Sequence, residues 1–229
     1  MYEWKCPSVC LSRLIVDNAF FCLGNKVYRQ IIGIPMGIDP APQMANLYLH
    51  FYEEDFMKKL TRENYAHAKK FNLTKRFIDD LNTFNNDGLL HKYYTEGRIY
   101  PEEMVLNKEN QVNTEGTFLD LDMKIQDKVI NVKLYDKREA FSFEIVNYPH
   151  MDSNIPRRIA YGVFGSQLIR FSRICTDKAE LLKRIKLLIA KLTRKGYKLC
   201  ELKKTAMRMM ERHIWILELV SHEEITKLF

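Results

Sequence analysis

The sequence predicts an α+β fold, with short antiparallel strands packed by helices first and a helical region at the end. Residues 118–125, 129–135 and 141–146 alternate in polarity or run apolar, as strands do. From Asp177 onward, apolar residues recur every three or four positions, which is typical of amphipathic helices. With 229 residues, the chain is long enough for one or two domains with a hydrophobic core.

The first elements are a hairpin and a long helix. Residues 20–32 alternate around Gly24 and Asn25, a pair that favours a tight turn between two strands. Residues 40–60 have a helical period, whereas residues 64–72 are polar and predict a helix end or a loop.

A second hairpin is predicted over residues 75–85. Apolar flanks on both sides of Asp79 and Asp80 place these two carboxylates at its turn. The helix of residues 40–60 is its expected packing partner. Residues 91–100 predict a short helix and a loop.

The C-terminal helices have clear start and stop signals. Asn154 and Pro156 predict a helix over residues 153–173, and Gly196 ends the helix that begins near Asp177. That helix has one apolar stripe, formed by Leu181, Leu182, Ile185, Leu188, Ile189 and Leu192. Another face carries Arg184, Lys191 and Lys195. A following helix begins near Glu201, and its expected inward residues are Leu202, Met209, Ile214 and Leu217.

Composition excludes several classes of protein. A hydrophobic content of 46% and an aromatic content of 12% exclude a disordered chain. No apolar run approaches the ~18 residues of a membrane span, so no membrane partner is expected. Five scattered cysteines argue against a disulfide framework and favour a reducing compartment. Cys6 and Cys10 have the spacing of half a zinc site, but plain thiols are the simpler interpretation.

The net charge of +7 is unevenly distributed. Residues 150–229 hold 17 Lys and Arg against 8 Asp and Glu, a net charge of +9. The preceding 149 residues hold 19 against 21, a net charge of −2. A strongly basic segment indicates a polyanionic partner such as nucleic acid.

Two motifs carry candidate chemistry. The adjacent carboxylates of Asp79 and Asp80 repel each other, and hard cations such as Mg²⁺ would neutralise them; a solvated hairpin turn is the alternative. Residues 30–47 combine two glycines and three prolines with the start of a helix. Such a segment lets backbone approach a phosphate closely, although an ordinary strand–loop–helix junction has the same composition.

Together these segments resemble a reverse transcriptase. Residues 77–80 resemble the catalytic aromatic-x-Asp-Asp hairpin of that family, and residues 30–47 resemble its nucleotide- and template-contacting loop and helix. Residues 99–101 and 117–122 resemble the elements that follow. The segments at 134–138 and 153–170 are similar to the Penelope-like group of retroelements. The resemblance extends from about Phe20 to the C-terminus.

The resemblance implies an RNA-directed DNA polymerase that transfers nucleotides by two-metal catalysis. Residues 1–149 would be a partial palm without its fingers and first catalytic strand, and residues 150–229 would be a small helical thumb. Two Mg²⁺ or Mn²⁺ ions would bind Asp79 and Asp80. The partners would be an RNA or DNA template with its primer, and deoxynucleoside triphosphates. No protein partner is indicated, and the expected location is intracellular, with the nucleus as the candidate compartment.

Further contacts are implied by the same resemblance. The nucleotide and template would contact Pro35, Met36, Gly37, Gln43, Phe77 and Lys108. The primer grip would consist of Phe118, Leu119 and Asp120. The nucleic-acid backbone would contact Arg157, Arg158, Arg170, Arg173, Arg184, Lys191 and Lys195.

The family also uses a third aspartate, whose segment would lie before Phe20, and Asp17 is a weak candidate for it. Two other functions therefore stay open. The first is a catalytically inactive nucleic-acid-binding remnant or domesticated fragment, which would use basic helices and aromatic side chains without turnover. The second is a protein-interaction module without a nucleic-acid role.

Overall fold

A computed structural model describes residues 13–143 and 145–229, which combine small antiparallel sheets with several helices. The chain divides into two compact units, Met1–Asn107 and Lys108–Phe229. Among the described residues, no helix is long and apolar enough to cross a membrane. Cys6 and Cys10 lie outside the described residues.

The first unit contains two hairpins and three helices. In chain order its elements are β1 (Phe20–Leu23), β2 (Lys26–Arg29), α1 (Ala41–Glu63), α2 (Tyr65–Lys69), β3 (Thr74–Phe77), β4 (Asp80–Thr83) and α3 (Leu89–Thr95). β1 pairs with β2, and β3 pairs with β4, each in antiparallel register. Both hairpins and the long helix confirm the predictions for residues 20–32, 75–85 and 40–60.

The core of the first unit is small and aromatic. Phe56 and Leu60 of α1 pack with Ala68, Tyr93 and Ile99, all of which are buried. The ring of Phe56 lies edge-on to that of Tyr93, with the ring centroids 5.4 Å apart. The second half of α1 therefore anchors this unit.

The second unit contains one sheet and five α-helices among the described residues. In chain order its elements are β5 (Glu115–Phe118), β6 (Leu121–Gln126), β7 (Val129–Leu134), a 3-10 turn (Lys137–Ala140), α4 (Arg157–Ile174), α5 (Lys178–Arg194), α6 (Leu199–Arg212), α7 (Trp215–Leu219) and α8 (His222–Thr226). The three strands form an antiparallel sheet in the order β5-β6-β7.

The helices of the second unit enclose one large core. Its fully buried large side chains include Phe164, Leu168, Leu181, Ile185, Leu192, Leu202, Met210, Ile216, Val220 and Ile225. The sheet contributes Leu134, the last residue of β7, to the same core. The α5 stripe confirms the helical period read from the sequence, since five of its six residues are buried.

The sheet joins the helices by backbone-like hydrogen bonds at its edge. Thr176, in the turn between α4 and α5, donates its N–H to the carbonyl of Val132 at 2.9 Å. Its Oγ1 accepts the N–H of Val132, also at 2.9 Å. These two bonds satisfy backbone groups that an edge strand otherwise leaves unpaired.

Three predicted elements differ from the structure. A two-residue turn at Leu119 and Asp120 interrupts the strand expected over residues 118–125, and Leu119 has a φ of 57°. The strand expected over residues 141–146 does not form, and within the described part of the chain no strand pairs with this segment. Ile214, expected to point inward, is 70% exposed because α6 ends at Arg212 and α7 begins three residues later.

Candidate nucleic-acid interface

A four-residue turn joins α5 to α6. Gly196 adopts a φ of 84°, in the left-handed region that favours glycine, and its N–H donates to the carbonyl of Thr193 at 3.0 Å. The carbonyl of Lys195 accepts the N–H of Met151 at 2.9 Å, and Met151 also packs beside Gly196. Two helices joined by a short turn that contains glycine form a helix-turn-helix arrangement.

The first turn of α6 is fixed by α4. The hydroxyl of Tyr161 in α4 accepts the N–H of Lys198 at 3.0 Å. The ring of Tyr161 also packs edge-on against Tyr197, with the ring centroids 5.2 Å apart. Tyr197 is only 2% exposed, so the turn residue before α6 is itself part of the core. These contacts fix where α6 begins.

Helices α4 and α6 approach closely at Gly165. A Cβ atom at this position would lie 3.2 Å from the side chain of Met209 and 3.6 Å from that of Thr205. Glycine inside a helix costs about 1 kcal/mol relative to alanine, so the close approach explains its presence.

Replacing Gly165 by leucine is expected to destabilise the second unit by about 1–3 kcal/mol, because the added atoms overpack the α4–α6 contact. Gly162 lies one turn earlier in α4 with open space around its Cβ position, which makes Gly162→Leu the matched control. Urea unfolding of both variants measures the difference. Equal midpoints for the two variants would contradict the close packing assigned to Gly165.

The exposed face of α6 is basic. Lys204, Arg208 and Arg212 recur every four residues and are exposed, and Lys203 is partly exposed beside them. Lys204 donates to Glu201 one turn earlier at 2.8 Å, whereas Leu202 and Met210 face the core. The sequence analysis did not select these cations, although their four-residue spacing after a glycine turn was a usable signal.

The predicted backbone-contacting cations lie in different environments. Arg157 and Arg158 are exposed in the first turn of α4, and Arg173 is exposed with its guanidinium 5.8 Å from the ring centre of Trp215. Arg170 is held by Asp120, with 2.8 Å between its Nη2 and the carboxylate. Only the first three of these four arginines present their charge to solvent.

The predicted basic face of α5 is largely engaged by the protein itself. The side chain of Arg184 is only 11% exposed, contacts Glu139, and donates to Glu180 at 2.7 Å and to the carbonyl of Leu134 at 3.2 Å. Lys191 and Lys195 are partly buried. The expectation of an exposed basic face at these positions is therefore corrected for Arg184, whose charge is neutralised by two carboxylates.

The structure places Asp79 and Asp80 at the turn between β3 and β4, as predicted. Ile78, the first turn residue, has a φ of 54°, which is uncommon for a β-branched side chain. Both aspartates are exposed. Among residues 13–143 and 145–229, no group of three or more His, Cys, Asp and Glu is placed to hold a metal ion. The assignment of metal ions to these aspartates stays a prediction.

Arg76 fixes this hairpin on α1. Its guanidinium donates to Glu53 at 2.6 and 3.1 Å, to the side chain of Asn46 at 2.7 Å, and to the carbonyl of Ile78 at 3.2 Å. Glu53 also accepts the hydroxyl of Tyr100 at 2.8 Å, and burial together with that bond raises the pKa of Tyr100. The predicted packing of this hairpin on the long helix is confirmed.

The other residues implied by the resemblance are dispersed. Met36 is 97% exposed and Gly37 has a φ of 90° in open space, whereas Pro35 is buried. Gln43, Phe77 and Lys108 are exposed, and the ammonium of Lys108 donates to Asn113 at 3.0 Å. Phe118, Leu119 and Asp120 lie at the turn between β5 and β6.

Comparison with known proteins identifies one segment. No curated protein and no solved structure matches the chain. Residues 147–207 match a family model described as an animal helix-turn-helix domain. The matched segment begins before α4 and ends within α6, and so contains the turn at Gly196.

This match corrects the reverse transcriptase identification, which was wrong. The helices at residues 150–229, interpreted as a polymerase thumb, include a helix-turn-helix domain. The described strands also form three separate sheets of two, two and three strands rather than one. The helices α4, α5 and α6 with their glycine turn are thus similar to a helix-turn-helix domain.

Proposed function

We propose that this chain binds double-stranded DNA through the helix-turn-helix formed by α5 and α6. The observation that carries the proposal is the glycine turn between two amphipathic helices, in a segment that matches a helix-turn-helix family. Residues 147–207 also hold 14 Lys and Arg against 4 Asp and Glu, a net charge of +10. A concentrated positive charge supplies the attraction to phosphates on which most protein–DNA affinity depends.

Helix α6 would enter the major groove. In helix-turn-helix proteins the second helix lies in this groove, which is about 12 Å wide and accommodates an α-helix. Residues near the start of that helix usually contact base edges, so Lys203 and Lys204 are the candidates for base contacts. Arg208 and Arg212, further along the same face, would contact phosphates.

The start of α4 would add backbone contacts. The bond between Tyr161 and Lys198 brings the first turns of α4 and α6 together. Arg157 and Arg158 are exposed one turn before Tyr161. Arginines beside the groove-binding helix position it on the duplex without reading the sequence.

The proposal leaves out polymerase chemistry. It agrees with the nucleic-acid-binding alternative drawn from the sequence, in which basic helices bind without turnover. Template, primer and deoxynucleoside triphosphates are not required as partners. DNA as the ligand would place the protein inside the cell, with the nucleus as the proposed compartment.

Titration of a labelled DNA duplex at several salt concentrations tests the proposal. Five exposed cations, at positions 157, 158, 204, 208 and 212, predict a log–log slope of about −4 to −5, at about −0.9 for each phosphate contact. Fluorescence anisotropy of the full chain with duplex DNA measures this slope. Failure to bind at low salt, or an affinity independent of salt, would contradict the proposal.

A further inference from the structure

A cavity lies beside α5, between this helix and the segment that follows the 3-10 turn. Its volume is about 100 Å³, and its lining residues are Arg138, Glu139, Phe143, Ile145, Asn147 and Lys191. Among the described residues, none of α6 lines this cavity. It is therefore a site separate from the proposed duplex interface.

The segment along this cavity carries exposed aromatic side chains. Phe141 and Phe143 are 53% and 64% exposed, and their ring centroids lie 5.4 Å apart at a tilt of 54°. Phe143 lines the cavity, whereas Val146 is 80% exposed and does not. An exposed ring at the edge of a cavity offers a flat apolar face for stacking.

The charged wall of the cavity is held in place. Arg138 donates to both carboxylate oxygens of Asp136, at 2.7 and 2.8 Å, and Glu139 contacts Arg184. The Arg138 guanidinium holds the pKa of Asp136 below its ordinary value, so this pair stays ionised. With the neighbouring charges paired, the ammonium of Lys191 supplies the positive charge available to a ligand.

A smaller cavity of about 30 Å³ extends the site along α5. It shares Arg138, Glu139 and Lys191 with the first cavity, and its lining also includes Gln167 and Arg170 of α4. The two cavities together form a track with cations along it and an aromatic pair at one end. This combination suits a strand whose bases are unpaired and whose backbone is anionic.

We propose that this track binds single-stranded nucleic acid, with one unstacked base in the larger cavity. Phe143 stacks on the face of the base, and the amide of Asn147 offers a donor and an acceptor to its edge. Lys191 lies where it can contact the adjoining phosphate. Every base has a flat face, so the site has little sequence preference.

The test uses the full chain and a labelled oligothymidylate, with a labelled duplex measured in parallel. Phe143→Ala is expected to weaken single-strand binding about fivefold or more, the loss expected for one stacked base. Phe143→Trp is expected to keep the affinity because it keeps a stacking ring. Val146→Ala is the matched control on the same segment, and it is expected to bind as the parent chain does.

A second variant addresses the phosphate contact. Lys191→Gln should weaken oligothymidylate binding and lower its salt slope by about one. Lys186→Gln, on an exposed face of the same helix, should change neither quantity. Duplex affinity is expected to stay unchanged in Phe143→Ala, which separates this site from α6. Full oligothymidylate affinity in Phe143→Ala, or equal losses in Phe143→Ala and Val146→Ala, would overturn the proposal.

Discussion

Duplex DNA affinity is expected to fall about 100-fold when Lys204, Arg208 and Arg212 are replaced together by glutamate. These three cations occupy one exposed face of α6, the helix proposed to lie in the major groove. Each contact to a base or phosphate contributes about 1 kcal/mol or more, and 1.4 kcal/mol corresponds to a tenfold change. The salt slope should become shallower by about three, one unit for each lost phosphate contact.

A matched control keeps the net charge of the variant but moves the substitutions away from α6. Lys26, Lys58 and Lys59 are exposed in the first unit, and their replacement by glutamate changes the charge of the chain equally. The control should retain most of the affinity, because general attraction depends less on distant charges in salt. Equal losses in both triple variants would mean that net charge, not the α6 face, drives binding.

Elements set by local patterns could be predicted from the sequence. The hairpin around Gly24 needs a turn of two residues, and Pro156 marks the start of α4 because it needs no partner for a backbone N–H. The apolar stripe of α5 follows from its helical period alone. Each of these signals acts within about one turn of the chain, so no distant contact could cancel it.

Features that depend on distant partners could not be predicted. Arg184 lies at a position that the period of α5 leaves open to solvent, yet Glu139 and the carbonyl of Leu134 bury its side chain. Those partners come from elements about 45 residues earlier in the chain. The turn at Leu119 is a similar case, because an apolar residue at a positive φ does not differ in pattern from a strand residue.

The candidate interface itself lay between these limits. Gly196 and the start of the next helix were read correctly, but α6 was extended to include Ile214 and Leu217 as inward residues. A break at His213 shifts the helical phase, which brings Ile216 rather than Ile214 into the core. The exposed cations of α6 follow from the correct phase, so this error also concealed the basic face.

Ile216→Ala is expected to lower the free energy of unfolding by about 2–5 kcal/mol, the usual cost of removing a fully buried aliphatic side chain. Ile216 is 0% exposed and belongs to the core that also contains Phe164 and Leu202. It lies in α7, beyond residue 207 where the helix-turn-helix match ends. A large effect would show that α4 and α6 depend on the helices that follow them.

Ile214→Ala removes the same atoms from a position that is 70% exposed, so it should change stability by no more than about 0.5 kcal/mol. Urea unfolding of the full chain, followed by far-ultraviolet circular dichroism, compares the two midpoints. If both substitutions shift the midpoint equally, the helical phase after Arg212 differs from the one described. If only Ile216→Ala does, the folding unit of the DNA-binding helices extends past the matched segment, because a side chain outside it holds its core together.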